Sequence, residues 1–438
     1  MRIRHIVYNT LLPVASLAAR CAAPFNAKIA DGLRGRADFR KRWREHASTL
    51  GRTGTVIWFH VSSVGEFEQA KPVLNLLAER IDHAPFEAAL TFFSPSGMQY
   101  YRRHDRSKKI PAITFVDYLP LDTPGNMRFC LDTLRPDMLV FVKFDLWPNL
   151  IVEAARRKIP VLLISGTLSP DSRRLSRAVR GFYADLYAKL SGIAAISDED
   201  AERFRNDLPG AVEVITAGDT RFDQVCRRID SSAAEAPVAL TSSGARWIVA
   251  GSTWPKDEEI VIPGFASLAG TRPDVRLILV PHEPTAERLK EVREALRKAA
   301  LSYRLLSSVK DDTPITESVV VADGIGYLAE LYRCGVIAYV GGSFTTGVHN
   351  VMEPAVLGLP VLFGPRIENS YEARRLADAG AAHIVNTSEE FARQIAALLT
   401  NDALLAEEGA AAARFIRNHC GAAARCVDLI AKHLTRNG

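Results

Sequence analysis

From residue 55 onward, short apolar runs alternate with amphipathic stretches. TVIWFHV (55–61), FEAALTFF (86–93), MLVFV (138–142), VLLIS (161–165) and IAAIS (193–197) have the length and the β-branched and aromatic content of strands. Several are apolar at successive positions, as strands buried on both faces are. Helical periodicity lies between them, for instance over 66–80 and 147–157. This rhythm predicts βαβ units and a mostly parallel sheet. The small, polar stretch 228–244, RIDSSAAEAPVALTSSG, interrupts it and reads as a linker. Alternation then resumes in WIVAGS (247–252), VRLILVP (275–281), SVVVAD (318–323), GVIAYVG (335–341) and LPVLFG (359–364). The pattern predicts an α/β chain of two doubly wound, Rossmann-like parallel-sheet domains facing a cleft. Their expected spans are 46–227 and 245–415, with a packing helix over 416–438.

The N-terminus has a different pattern. VYNTLLPVASLAA (7–19) is apolar but broken by Asn9 and Pro13, and a basic tract follows: Arg34, Arg36, Arg40, Lys41, Arg42 and Arg44. The apolar run falls short of the roughly 20 residues of a spanning helix. The order of charge and apolar core is the reverse of a signal peptide's. Residues 1–45 are therefore expected to associate with a membrane surface, the arginines meeting anionic head groups. A packed helix with a solvated basic end is the competing reading.

Composition narrows the class. With 438 residues, 47% hydrophobic and 24% charged, the chain is globular and long enough for two cores. Six scattered cysteines without CxxC spacing argue against a disulfide scaffold or a zinc site. A net charge of +5 does not by itself call for nucleic acid.

Candidate chemistry gathers at the carboxyl ends of the predicted strands, where such sheets bind ligands. GGSFTTGVHNVMEPAVLGLPVLFGP, beginning at Gly341, joins a strand, a glycine loop with His349 and Asn350, a short helix opened by Glu353, and a further strand. Glycines at Gly341 and Gly342 admit close backbone approach to a phosphate. Glu353 would repel a phosphate and suits a ribose instead; a turn with a capping carboxylate is the plainer reading. After the first strand, Ser62, Ser63 and Gly65 form a possible anion-binding helix start. Glu66 sits just inside it, where the helix terminus is expected to lower its pKa and keep it ionised as a general base. Ser63 and Glu66 also match a capping box. Ser94, Ser96 and Gly97 make a similar small-residue loop, and Lys143 and Asp145 follow another buried run, as an anion site or as an ion pair.

Many ordered motifs together resemble the bacterial 3-deoxy-D-manno-octulosonic acid (Kdo) transferases, inverting glycosyltransferases of the GT-B fold. They are HVSSVGE (60–66), TFFSPSG (91–97), YLPLDTPG (118–125), LWPNL (146–150), GDTRFD (218–223), GSTWPKDEE (251–259), VPHEP (280–284) and the Gly341 segment. The resemblance implies Kdo transfer from CMP-Kdo to a lipid A precursor by a peripheral inner-membrane enzyme facing the cytoplasm, with no cofactor, metal or nucleic acid. Glu66 would be the base. Ser252, Pro281, His282, Gly326, Leu328, Gly342, Ser343, Asn350 and Glu353 would surround the CMP-sugar, and helix N-termini would meet its single phosphate. Two positions depart from the family pattern. Lys143-Phe144-Asp145 stands where relatives carry E-T-E, and Pro281-His282-Glu283 stands where P-R-H is common. The first inverts a charge on the acceptor side; the second leaves an arginine contact to be supplied by His282 or Lys256. A GT-B enzyme using another nucleotide sugar, or a non-catalytic nucleotide- or lipid-binding protein, are the alternatives.

Overall fold

The computed structural model describes residues 2–49, 54–80, 86–104, 110–207, 212–231, 238–241, 243–310 and 314–435. The chain divides into two compact units, Met1–Gln224 with His419–Gly438, and Val225–Asn418. Residues 232–237 and 242 of the expected linker lie outside the described residues. Its first part, 228–231, is the end of a helix, Thr220–Ser231.

The first unit holds a seven-stranded parallel sheet: β1 (Thr55–Val61), β2 (Phe86–Phe92), β3 (Ile113–Tyr118), β4 (Met138–Val142), β5 (Val161–Gly166), β6 (Gly192–Ala195) and β7 (Glu213–Thr216). Their order is β3-β2-β1-β4-β5-β6-β7, so the winding reverses between β1 and β4. Side chains alternate across the sheet. Ile57, Phe59 and Val61 pack under the helix Val64–Arg80 with Ala423, Cys426 and Ile430 of the C-terminal helix. Trp58 points the other way, into a layer with Trp43, Leu131 and Ile151.

The second unit repeats the plan with β8 (Arg246–Thr253), β9 (Val275–Pro281), β10 (Tyr303–Leu305), β11 (Val319–Val321), β12 (Gly335–Val340), β13 (Val361–Phe363) and β14 (Ala382–Ile384). The order β10-β11-β9-β8-β12-β13-β14 puts its reversal between β8 and β12. Both cores are continuous apolar layers on the two faces, so the polar side chains that remain buried concentrate at strand ends.

Three helices precede β1: Arg2–Ala22, Ala27–Arg36 and Phe39–Thr49. The first departs from the sequence expectation. The helix continues through the interruptions at Asn9 and Pro13, and the segment Arg4–Phe25 is long and apolar enough to cross a membrane by length and composition. Its surface is divided. Ile6, Val7, Leu11, Val14 and Leu17 are 52–64% exposed along one stripe. On the opposite side the Tyr8 hydroxyl donates to Asp122 Oδ2 at 2.9 Å, and Asn149 Nδ2 donates to Asn9 Oδ1 at 2.7 Å.

Two residues of the basic tract bond within the first unit, while Arg34, Arg40, Lys41 and Arg44 are exposed. Arg36 donates to the Leu119 and Phe93 carbonyls at 2.8 and 2.6 Å, and Arg42 forms a two-bond ion pair with buried Asp117. Trp43 is fully buried, edge-on to Trp58 at 5.3 Å. These arginines tie the helices to the sheet, because carbonyls and a carboxylate at its edge need donors.

Candidate active site

At the reversal point of the first sheet, β1 runs into Ser62-Ser63 and the helix carrying Glu66. The Ser62 N–H donates to Glu66 Oε2, while the Glu66 N–H reaches Ser63 Oγ at a long 3.4 Å. Glu66 is only 3% exposed. Its carboxyl is pushed up to about 7, chiefly by burial; the Ser62 N–H opposes this, Asp145 adds to it and Lys143 opposes it. The expected lowering by the helix terminus is thus overturned. The backbone N–H groups of Ser62 and Ser63 do not replace the water that burial removes. Ser63 and Gly65 are exposed, and nothing but Ser63 Oγ stands within 4 Å of where a Gly65 side chain would begin.

The neighbouring loops converge on this point through strand register. His60 pairs with Phe141, so Ser62 and Lys143 follow on adjacent strands. Lys143 has a left-handed backbone, φ 72°, and its Nζ lies 5.2 Å from the Phe144 ring centre. Lys143 and Asp145 both act on the charge of Glu66. Ser94 N–H donates to the Ser62 carbonyl at 2.9 Å, and Ser94 Oγ accepts from Gly97 N–H at 3.0 Å, capping the helix Pro95–His104. Ser96 Oγ is 3.3 Å from Ser94 Oγ, and a side chain at Gly97 would strike the Phe92 ring.

Two buried residues outside the candidate site, His60 and Asp122, support these loops. His60 Nε2 accepts from Trp147 Nε1 at 2.8 Å, so the ring carries its proton on Nδ1 and donates to Thr91 Oγ1 at 2.9 Å. Burial first, then Arg36, lowers its pKa to about 3, and it stays neutral. Asp122, wholly buried, accepts from the N–H groups of Asn149 and Leu150 at 2.9 and 3.0 Å and from Tyr8. The segment DYLPLDTPG offers Asp122 or Thr123 as a cap: Thr123 caps the helix Pro124–Leu134, and Asp122 instead serves the helix that begins at Pro148, while the His60 network had no signal in the sequence.

In the second unit the reversal point is built on glycine and one carboxylate. A side chain at Gly341 would lie 2.3 Å from the Ser252 carbonyl oxygen, and Gly342 has φ 97°. Asp257 ties this loop to β8. Its Oδ2 accepts from the N–H groups of Trp254 at 2.8 Å and Gly342 at 2.9 Å, and its Oδ1 accepts from the Tyr339 hydroxyl at 2.7 Å. Asp257 was also missed, although an acid three residues past a helix start is its signal. Ser343 is fully buried and its Oγ accepts from Gly364 N–H at 2.6 Å. Trp254 Nε1 donates to His349 Nε2 at 2.8 Å, and His282 stacks on His349 with ring centres 4.5 Å apart. Burial foremost, then His282, lowers the His349 pKa.

Pro281 ends β9, and beyond it an open groove of about 400 Å³ is lined by His282, Glu283, Pro284, Thr285, Asp323, Gly324 and Ile325. Gly326, with φ 96°, precedes the helix Leu328–Tyr332. Asn350 Oδ1 accepts from Met352 N–H at 3.1 Å, and Glu353 Oε1 accepts from Arg228 Nη1 at 2.8 Å. The helices at Leu328 and Met352 have five residues each. Only a small dipole is therefore available from them, whereas the helix that follows β8, Pro255–Ala269, has fifteen residues. Among the described residues no group of three or more His, Cys, Asp or Glu side chains is placed to hold a metal ion.

Two doubly wound parallel units with polar loops at both reversal points give a two-domain α/β fold of GT-B type. The UDP-GlcNAc 2-epimerases of Neisseria meningitidis (15% identity, TM-score 0.56, covering 87% of this chain and all of that one) and Methanocaldococcus jannaschii (15%, 0.53, 83% and 98%) share the fold. Residues 37–224 match the family model described as 3-deoxy-D-manno-octulosonic-acid transferase (kdotransferase). The 3-deoxy-D-manno-octulosonic acid transferase of Haemophilus influenzae is 28% identical over 394 residues, covering 87% of this chain and 88% of its own length. That of Chlamydophila psittaci is also 28% identical, over 75% and 74%. Over most of its length the chain is thus similar to Kdo transferases, which are glycosyltransferases, and its first half carries the match to their family model.

Proposed function

We propose that the protein transfers Kdo from CMP-Kdo to a hydroxyl of a lipid A precursor with inversion at the anomeric carbon, Glu66 acting as general base. The observation that carries this reading is Glu66 itself, buried at the β1 reversal point with its carboxyl near 7. A carboxylate in that range is basic enough to take a proton from an alcohol and still partly ionised at neutral pH. As the acceptor oxygen bonds to the anomeric carbon, its proton passes to Glu66. The bond from that carbon to the phosphate oxygen breaks, and its electrons leave with CMP.

Ser62, Ser63, Gly65, Ser94, Ser96 and Gly97 form the rim on which the acceptor is held. Lys143 and Asp145 flank the base, and Lys143 suits an anionic acceptor. In the second unit, Ser252, Gly342 and Ser343 belong to the strand ends and loop assigned to the donor phosphate. Pro281, His282, Gly326 and Leu328 border the nucleoside, and Asn350 and Glu353 face the ribose. The exposed stripe from Ile6 to Leu17 supports binding at the inner-membrane surface, where the acceptor resides.

The test is incubation with CMP-Kdo, generated in situ, and a tetraacyl lipid A precursor in detergent, with product masses read directly. A gain of one or more Kdo masses is expected. No product with CMP binding intact would reject this acceptor, and no CMP binding would reject the donor.

A further inference from the structure

The geometry points to Arg228, a residue outside every donor motif, as a positioning residue that holds the Glu353 carboxylate toward the donor ribose; the inference rests on the donor-site reading above. Arg228 lies in the last turn of the helix Thr220–Ser231, in a stretch whose sequence reads as linker. Its Nη1 donates to Glu353 Oε1 at 2.8 Å. Glu353 is 9% exposed, whereas the Arg228 side chain is about half exposed. The pair is therefore a buried carboxylate served by a cation at the surface. A carboxylate so enclosed needs a cation or several donors to stay ionised, and only the ionised form offers all its lone pairs to sugar hydroxyls.

The placement of Arg228 is itself fixed. Arg333, which follows the helix Leu328–Tyr332, donates through Nη2 to the Ile229 carbonyl at 2.5 Å, one residue beyond Arg228. Tyr332, in that same short helix, is 1% exposed, and its hydroxyl has no partner among the described residues. The hydroxyl fills the space that a side chain at Gly251 would occupy, at the end of β8. It also lies in the field of Glu353, which adds to the effect of burial in raising its pKa. Glu353 thus sits between a cation that bonds it and a buried donor with unused capacity. An arginine fork suits the task, since one N–H pair fixes one carboxylate oxygen and the carboxylate has about four acceptor sites in all.

The experiment titrates CMP and 2′,3′-dideoxy-CMP into the full-length wild type, Arg228→Gln, Arg228→Lys, Glu353→Gln and the Arg228→Gln/Glu353→Gln double variant, with melting curves for each. Arg228→Gln is expected to weaken CMP by about tenfold or more and to leave the dideoxy nucleotide unchanged. Arg228→Lys should recover part of the loss, and the double variant should be no worse than Glu353→Gln, because the two residues act as one unit. Unchanged CMP affinity in Arg228→Gln, with wild type binding CMP, would overturn the inference alone. Equal loss of both nucleotides would also overturn it and reduce Arg228 to a packing role. A wild type that binds neither would remove the donor-site reading and this inference together.

Discussion

Glu66→Gln separates catalysis from stability in opposite directions. In the folded chain the carboxyl titrates at about 7, against an ordinary value of 4.5, and burial is the main cause. A base works in its ionised form, which is about a tenth of the population at pH 6, half at pH 7 and nine-tenths at pH 8. The wild-type kcat/KM for Kdo transfer should therefore climb tenfold per pH unit below about 7 and level above it. An unshifted glutamate would give a flat profile over the same range.

The stability sign follows from linkage. Between pH 4.5 and 7 the folded state holds the Glu66 proton more tightly than the unfolded chain does. Stability consequently falls as pH rises through that window, by roughly 3 kcal/mol in all. Glutamine keeps an oxygen for the Ser62 N–H and carries no charge. The variant should lose about 10²- to 10⁴-fold in rate, melt above the wild type at pH 8, and converge with it near pH 4.5. Initial rates from pH 5.5 to 8.5 and thermal melts at both ends of the range check this. A flat wild-type profile, or a glutamine variant within about threefold of wild type, would refute the reasoning.

Three further outcomes follow from the geometry. Lys143→Glu replaces a charge that holds the Glu66 pKa down, so the acidic limb of the pH–rate profile should move to higher pH; an unmoved limb would show that Lys143 does not act on the base. Asp122→Ala strands the N–H groups of Asn149 and Leu150 and the Tyr8 hydroxyl. It should cost about 3 kcal/mol or more, and limited proteolysis should cut the N-terminal helix sooner. Gly342→Ala forces a side chain into φ 97° and to within 2.5 Å of the Gly347 carbonyl oxygen. The strain is about 1–3 kcal/mol, and calorimetry should show weakened CMP binding.

The interior strands were legible because their signal is continuous burial. MLVFV (138–142) and VRLILVP (275–281) coincide with β4 and β9. The strands that escaped notice were β3, β7, β10 and β14, all except β3 only three or four residues long and all partly exposed. An outer strand packs less of its surface, so ITFVDY and EVIT lack the apolar run that marks an inner one. At the site, residue types and strand-end positions could be read, but charge states could not. Glu66 at a helix start reads as a stabilised anion; its burial by the sheet reverses the direction. His60 was silent because its partner Trp147 comes from a distant segment, and of Asp257 only the local cap on Trp254 could be read, not its bond to Gly342. Arg36 and Arg42 read as a basic patch until the fold supplies carbonyls and Asp117 for them.

The divided surface of the N-terminal helix has a consequence for reach. Tyr8 and Asn9 fasten the helix to Asp122 and Asn149, and Asn149 lies in the first turn of the helix that follows the Lys143–Trp147 loop. The exposed stripe is thus joined to the surroundings of Glu66 by packed side chains, with no slack segment between them. If that stripe rests in a bilayer, Glu66 stands at one set height above it, and the helix works as a ruler. A hydroxyl carried on a lipid head group must then rise to that height to be used. Head groups that stand too low or too tall are refused by distance, before any contact has read their chemistry.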